Sequence, residues 1–180
     1  YKTRGVAYCP HCDGPLFKNK IVTVVGGGNS ALEALIDLQD IAGELYLINN
    51  LSDFTGDKIL IDKLKIEKIK TFHNYVVHDI TGGEILEMVK IKNLISGEIT
   101  GIKTGGMFIQ IGLIPNTEFL KGFVDLNIWG EIVVNCNTET SEKAVFACGD
   151  VTNVADKQIV IAAGEGAKAA LAAYNYLLRN

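Results

Sequence analysis

The chain has 180 residues, 48% of them hydrophobic and 21% charged, and 17 Lys and Arg against 21 Asp and Glu leave a formal net charge of -4. That composition is globular, with enough chain to bury a core in one ordinary domain or two small ones, and it excludes a disordered tract. The acidic balance gives no basic stripe for nucleic acid or anionic lipid, and no apolar run reaches the ~18 residues of a membrane span, so a small-molecule or protein partner is expected.

Residues 1–5 carry no initiator methionine and no signal-peptide core, so the sequence reads as a piece of a longer chain in a reducing, cytoplasmic setting. Of the four cysteines, Cys9 and Cys12 stand in one Cys-Pro-His-Cys, a spacing that closes a small redox disulfide. His11 between them stabilises a thiolate when protonated, and Asp13 is placed to donate or accept a proton in thiol chemistry. Two other readings stay open at this spacing. A zinc site needs a second close pair of ligands, whereas Cys136 and Cys148 stand singly and far along the chain. A thioredoxin-like fold needs the pair on a helix after a buried strand, whereas Gly14-Pro15 follow here at once.

Residues 20–25 are β-branched and predict a strand that runs into Gly26-Gly27-Gly28, and residues 31–38 carry the apolar spacing of a helix. Residues 44–48 predict a second buried strand, so the segment has the dimensions of a right-handed βαβ unit with parallel strands. The turn fits G-x-G-x-x-G/A. Gly26 makes the turn, Gly28 admits a pyrophosphate, Asn29 and Ser30 open the helix, and Ala31 takes the place of the third glycine. An acid for a ribose 2′-hydroxyl, or arginines for a 2′-phosphate, would stand at the end of the second strand, and this chain has Asn49-Asn50 there. No Lys or Arg lies between Glu44 and Asp57, which favours NADH over NADPH, with Asp53 as a loop acid; the Asn pair equally suits a plain turn.

Further along, residues 57–66 predict an amphipathic helix, residues 85–92 and 98–103 a β-hairpin, and residues 107–112 another buried strand. Pro115-Asn116 breaks the pattern, which places a domain boundary near Leu113. Strands are expected at 131–135 and 144–147, and a closing helix at 159–178. His73 and His78 read as surface or satisfied core residues, and Trp129 as part of a turn. Cys136 and Cys148 are expected as small buried hydrophobes, and Gly164 and Gly166 as points of close helix packing.

Five segments carry a resemblance: Y-C-P-H-C-D-G-P-L-F at 8–17, V-V-G-G-G-N-S-A at 24–31, I-G-L-I-P-N-T at 111–117, F-A-C-G-D at 146–150 and K-Q-I-V-I-A-A-G-E-G-A at 157–167. In that order, over the whole chain, they resemble the thioredoxin reductase family of flavoproteins, and the C-P-H-C form is similar to its alkyl hydroperoxide reductase branch. The resemblance implies an α/β fold in two parts. Residues 5–112 would form a Rossmann-like, three-layer NAD(P)H-binding domain with a parallel sheet and a β-hairpin insertion, and residues 113–180 the C-terminal part of a discontinuous FAD-binding domain.

It also implies a route for electrons, from NAD(P)H through FAD to the Cys9-Cys12 disulfide, and on to a thioredoxin-like or peroxiredoxin-type protein disulfide. Cys12 would face the flavin, Cys9 would attack the partner, and Asp13 would serve as acid and base. Gly149 and Asp150 would contact the flavin's ribityl and pyrophosphate. Lys157, Gln158 and Ile159 would meet its ring at a helix N-terminus, where negative charge on reduced flavin is favoured. A homodimer, and hinges at 1–5 and 113–117 between rotating domains, belong to the same family picture. The N-terminal half of the FAD domain, with its own glycine motif, is absent from this sequence. The alternative function is a non-catalytic NAD-binding module or fragment that lacks flavin.

Overall fold

Residues 1–179 are described by the computed structural model, and contacts divide the chain at Gly112/Leu113 into two units. In the first unit, β1 (Val6–Ala7), the short helix α1 (Pro10–Asp13), β2 (Ile21–Val25), helix α2 (Asn29–Leu38), β3 (Glu44–Asn49), the single turn α3 (Lys58–Ile61) and β4 (Ile69–His73) follow in order. Then come β5 (Tyr75–Gly82), β6 (Leu86–Asn93), β7 (Ile99–Lys103) and β8 (Gly106–Ile109).

Five of these strands make one parallel sheet in the order β1-β8-β2-β3-β4. Side chains alternate across it. Ala7, Phe108, Val24 and Leu47 face α2, while Val6, Met107 and Ile48 face the other way. A sheet covered on both faces needs apolar residues at every position, which is why IVTVV and ELYLI read as continuous runs. Helix α2 buries Ala31, Leu32, Ala34, Leu35 and Leu38, the 3.6-period face predicted from sequence. On the opposite side β5, β6 and β7 form an antiparallel sheet whose Leu86, Val89, Ile91 and Ile102 pack on Val6, Ile48 and Met107. The first unit is therefore a three-layer α/β body, with the expected hairpin as part of a three-stranded third layer.

The helix predicted over 57–66 is cut to the single turn α3, followed by a 3-10 turn at Ile66–Lys68. Tertiary bonds override the periodicity: Gln39 at the end of α2 accepts from the Lys65 N–H at 3.0 Å, diverting that amide from a helical carbonyl.

The second unit holds a 3-10 turn, Glu118–Leu120, and the 21-residue helix α4 (Ile159–Arg179). The strands expected at 131–135 and 144–147 shrink to isolated bridges, Ile132 with Leu126 and Thr152, and Phe146 with Glu139. Each edge meets loop backbone for one pair only, so no ladder propagates. The core is thin, with Val124 and Ile132 beside buried Thr117, Thr138 and Thr152, and α4 has no fully buried residue. Three expectations fail for the same reason. Cys136 is exposed and Cys148 half-buried rather than buried, and a Cβ added at Gly164 or Gly166 would meet nothing within 4 Å, so neither glycine serves close packing here.

Phe108 is fully buried, with its ring edge-on to Phe17 at a centroid distance of 5.1 Å. Phe108→Ala should cost about 3–5 kcal/mol, read as a lower urea midpoint. Ile159→Ala, at a side chain 85% exposed, should leave the midpoint unmoved.

Candidate functional site

Two of the three glycines of the turn have a steric reason inside the protein. At Gly26, with φ +139°, an added Cβ would collide with the Gln110 carbonyl, because β2 and β8 lie side by side and the Gln110 N–H donates to the Val25 oxygen at 2.8 Å. At Gly27 a Cβ would collide with the side-chain amide of Asn49. Gly28 is the N-cap of α2, its nearest foreign atom is Thr55 Oγ1 at 3.8 Å, and no side chain caps the helix. The Ala31 N–H closes onto the Gly28 carbonyl at 3.0 Å, which leaves the Asn29 and Ser30 amides at the helix start for a ligand, the arrangement that binds phosphate.

The turn opens into a cleft of about 510 Å³. Its other walls are the end of β3 with Asn49 and Asn50, Tyr75–Val77 of β5, and Gln110–Gly112. The cleft sits at the carboxyl ends of β2 and β8, where the strand order reverses, the position at which doubly wound sheets bind ligands. No charged side chain lines it. An open glycine N-cap, uncapped amides and an uncharged wall fit a dinucleotide.

Of the residues read from sequence, Gly26, Gly28, Asn29, Ser30 and Asn49 line this cleft, whereas Ala31 is buried beneath the turn with its Cβ 3.2 Å from the place of a Gly26 Cβ. Asp53 does not line it. Asn49 is 1% exposed and fully engaged. Its Oδ1 accepts from the Leu51 N–H at 3.1 Å, and its Nδ2 donates to the Asp53 carbonyl at 2.8 Å and lies 3.3 Å from His73 Nδ1. Asn29 is held as well, donating to Asp57 Oδ2 at 2.9 Å and accepting from the Asp57 N–H at 2.7 Å. With the Thr55 N–H on the Gly27 carbonyl at 2.9 Å, these bonds clasp loop 50–57 against the glycine turn. Sequence reading missed Thr55, Asp57 and Gln110. Thr55 and Asp57 lie 28 residues from their partners, and Gln110 meets the turn through the sheet. The only local signal was Gly56, where a Cβ would strike Leu32.

The Cys9-Cys12 disulfide is formed, with Cα atoms 5.2 Å apart. Cys9 is the N-cap of α1, Pro10 starts the helix, and the Cys12 N–H donates to Cys9 Sγ at 3.2 Å. Cys12 is exposed and Cys9 half-buried, and Cys9 shares a cavity of about 260 Å³ with Asp13, Tyr8 and Leu16. The turn is pinned to α2 by His11, whose Nδ1 lies 2.8 Å from Asp37 Oδ2, and to the nucleotide cleft by Gln110, whose side-chain amide donates to the Tyr8 carbonyl at 2.9 Å. Among the described residues no group of three or more His, Cys, Asp or Glu could hold a metal ion.

In the second unit, Asp150 and Lys157 line one cavity of about 230 Å³ with Asn116 and Glu131. Gly149, at φ +81°, accepts at its carbonyl from the Thr152 N–H at 3.0 Å and the Thr152 hydroxyl at 2.7 Å. Lys157 is already committed, with Nζ 2.9 Å from Glu131 Oε1 and donating to the Thr152 carbonyl. Ile159 begins α4 and is exposed, and the Gln158 carbonyl accepts from the Ala162 N–H at 2.9 Å. The cavity is too small to enclose a flavin dinucleotide by itself.

A parallel α/β dinucleotide fold with a surface Cys-x-x-Cys disulfide on the same unit defines a nucleotide-linked disulfide protein. The model of the pyridine nucleotide-disulphide oxidoreductases matches residues 1–169, and the chain belongs to that family. It is similar to a subunit of alkyl hydroperoxide reductase in Escherichia coli (strain K12), 46% identical over 99% of this chain and 35% of that protein. The counterpart in Pseudomonas putida is 48% identical over 99% of this chain and 35% of its own length. The chain thus spans about a third of these relatives. Among solved structures, a thioredoxin reductase from Streptococcus pyogenes MGAS5005 is similar at TM-score 0.90 and 34% identity, over 99% of this chain and 59% of that one. One from Giardia duodenalis gives TM-score 0.84 and 32% identity, over 97% and 58%. The motif resemblance to thioredoxin reductases and the α/β fold it implied are borne out.

Lys157 beside Glu131, helped by the Asn127 amide, holds the Glu131 carboxyl below its ordinary range. A lowered carboxyl stabilises the fold above the unfolded glutamate range, about 4.3, and that stability is lost as pH falls through the folded value. Melting temperatures between pH 7 and pH 3 should show a smaller acid loss for Glu131→Gln than for the parent.

Proposed function

We propose that this chain is the NADH-binding, disulfide-bearing part of a flavin-dependent disulfide reductase of the length of its alkyl hydroperoxide reductase relatives. The observation that carries the reading is one compact unit that holds both an open glycine cleft at the sheet's switch point and an exposed disulfide, bridged by Gln110. FAD, when bound, supplies the two-electron relay between nicotinamide and disulfide. Gly149, Asp150, Lys157, Gln158 and Ile159 make one wall of its site, and residues of the longer protein make the rest. The exposed apolar face of α4, with Val160 and Leu171 above 60% exposed, supports a partner layer there.

The chain's own chemistry is thiol-disulfide exchange. Once the pair is reduced, Cys9 is the sulfur that carries negative charge best, because the Cys12 N–H points at it from the first turn of α1. The Cys9 thiolate attacks a partner disulfide, forming a mixed disulfide and releasing one partner thiolate. Cys12 then attacks the Cys9 sulfur, restoring the Cys9-Cys12 bond and releasing the partner as a dithiol. Asp13, in the cavity beside Cys9, passes the protons these sulfurs give up and take. The partner is a thioredoxin-like or peroxiredoxin-type protein disulfide, met in a cytoplasmic setting, with a homodimer as the working assembly.

Selectivity for NADH follows from the uncharged cleft: a 2′-phosphate would enter it with no cation to meet it. Titration should show tighter binding of NADH than of NADPH, and equal or reversed affinities would overturn the preference. Gly28 has an ordinary extended backbone at φ -92°, so Gly28→Val tests space rather than strain and should weaken NADH by at least about tenfold.

The deciding experiment is an anaerobic absorption spectrum of the chain with and without NADH, with thiols counted before and after reduction. A chain that binds NADH without a flavin band near ~450 nm, and whose thiols rise from two to four on reduction, is the predicted outcome. An unchanged thiol count would remove Cys9 and Cys12 from the reaction.

A further inference from the structure

Asn49 stands where the family's ribose-binding residue is expected, yet both hydrogens of its amide and its oxygen are engaged inside the protein. Two of its partners are backbone groups whose roles cannot change. The Leu51 N–H can only donate, and the Asp53 carbonyl can only accept, so together they fix which end of the amide is oxygen and which is nitrogen. The Nδ2 group therefore presents its remaining hydrogen to His73 Nδ1 at 3.3 Å, and His73 can receive it only with Nδ1 unprotonated. His73 is the last residue of β4 and lies in register with Asn49 on β3, and the Phe54 ring stands edge-on to the imidazole at 5.2 Å. The three atoms that hold Asn49 thus come from the loop and from β4, and the amide they hold fills the space beneath Gly27.

We propose that His73 is a positioning residue for the nucleotide: by accepting from Asn49 at Nδ1 it keeps the amide seated between the glycine turn and loop 50–53, and protonation of its ring unseats that wall of the cleft. The inference rests on the reading of this cleft as the NADH site. A proton added at Nδ1 would set donor against donor, with Asn49 unable to flip because both backbone bonds would then be lost. The neutral ring is the form compatible with the binding-ready loop, so affinity is greatest at high pH and falls as the ring is protonated. The titratable groups on the elements around His73 are otherwise occupied or distant. Glu44, Lys70 and Tyr46 bond one another on β3 and β4, and the Asp53 carboxylate takes the Ser52 hydroxyl at 3.0 Å. Tyr75 meets the Phe72 ring edge-on, His78 lies further along β5 beside Asp79, which pairs with Lys90, and among the described residues His73 enters no ion pair.

The test uses the full chain and ADP-ribose, the acid-stable portion of NADH, titrated by calorimetry at pH 8 and pH 5.5. The parent should bind about tenfold more weakly at the lower pH, the cost of one buried amide hydrogen left unpaired. His73→Asn offers an acceptor oxygen near the place of Nδ1 and does not titrate, so it should hold its affinity at both pH values. His73→Leu should be weak at both. An acid loss that persists in His73→Asn, or parent-like affinity in His73→Leu at pH 8, would overturn the proposal. Nitrogen NMR of the nucleotide-free chain gives a second readout: at pH 8 His73 should carry its proton on Nε2, and a proton on Nδ1 would overturn the inference whatever the nucleotide does. Failure of both NADH and ADP-ribose to bind the parent at pH 8 would instead overturn the reading of the cleft, and this inference with it.

Discussion

Everything at the nucleotide cleft depends on one close approach, the Asn49 amide packed under the α-carbon of Gly27. It requires β2 and β3 to pair in the register that sets Val25 opposite Ile48, so that the strand after the turn delivers its last residue beneath the turn itself. It also requires the residue between the two motif glycines to have no side chain. A buried amide with both hydrogens and its oxygen engaged costs little, whereas one left with an unpaired hydrogen costs about 1–3 kcal/mol. The three partners of Asn49 therefore act as a set, and loop 50–57 has one low-energy path over the glycine turn.

Seen this way, the asparagine at the end of β3 is part of the scaffold as well as of the wall. An acid at that place would have to choose between the ribose and the loop. Here the loop is served by the buried amide, and the rest of the cleft wall is uncharged: helix amides, glycine backbone and Asn50. Such a wall attracts an anion only through the α2 N-terminus, whose effect is confined to the first turn. It suits an anion such as a pyrophosphate at that spot.

The parts of the structure that could be read from sequence are those encoded by short-range periodicity. The β2-α2-β3 unit, the β6-β7 hairpin and the glycine turn each declare themselves in one contiguous stretch of sequence. Where the pattern failed, contacts from elsewhere won. The 57–66 helix yields to Gln39, whose side chain takes the Lys65 amide, and no local propensity announces that bond. The Asp57-Asn29 clasp and the Gln110 bridge to Tyr8 join residues far apart in sequence, so their functional place was invisible until the sheet brought them together. In the second unit the apolar pattern was read correctly as helix, but expectations of burial for Cys136, Cys148 and the α4 glycines assumed neighbours that this chain does not place there.

That contrast also explains how the two units divide the work. The first unit has apolar cores on both faces of its sheet, so the cleft, the disulfide turn and the Gln110 link between them are fixed relative to one another. Its cleft needs nothing from outside to be shaped. The second unit rests on a few apolar side chains and buried threonines, and leaves the apolar residues of α4 in water. A surface of that kind gains most from being covered. On the function proposed above, nucleotide recognition and thiol chemistry belong to the self-sufficient unit, and the flavin wall to the unit with the thinner core.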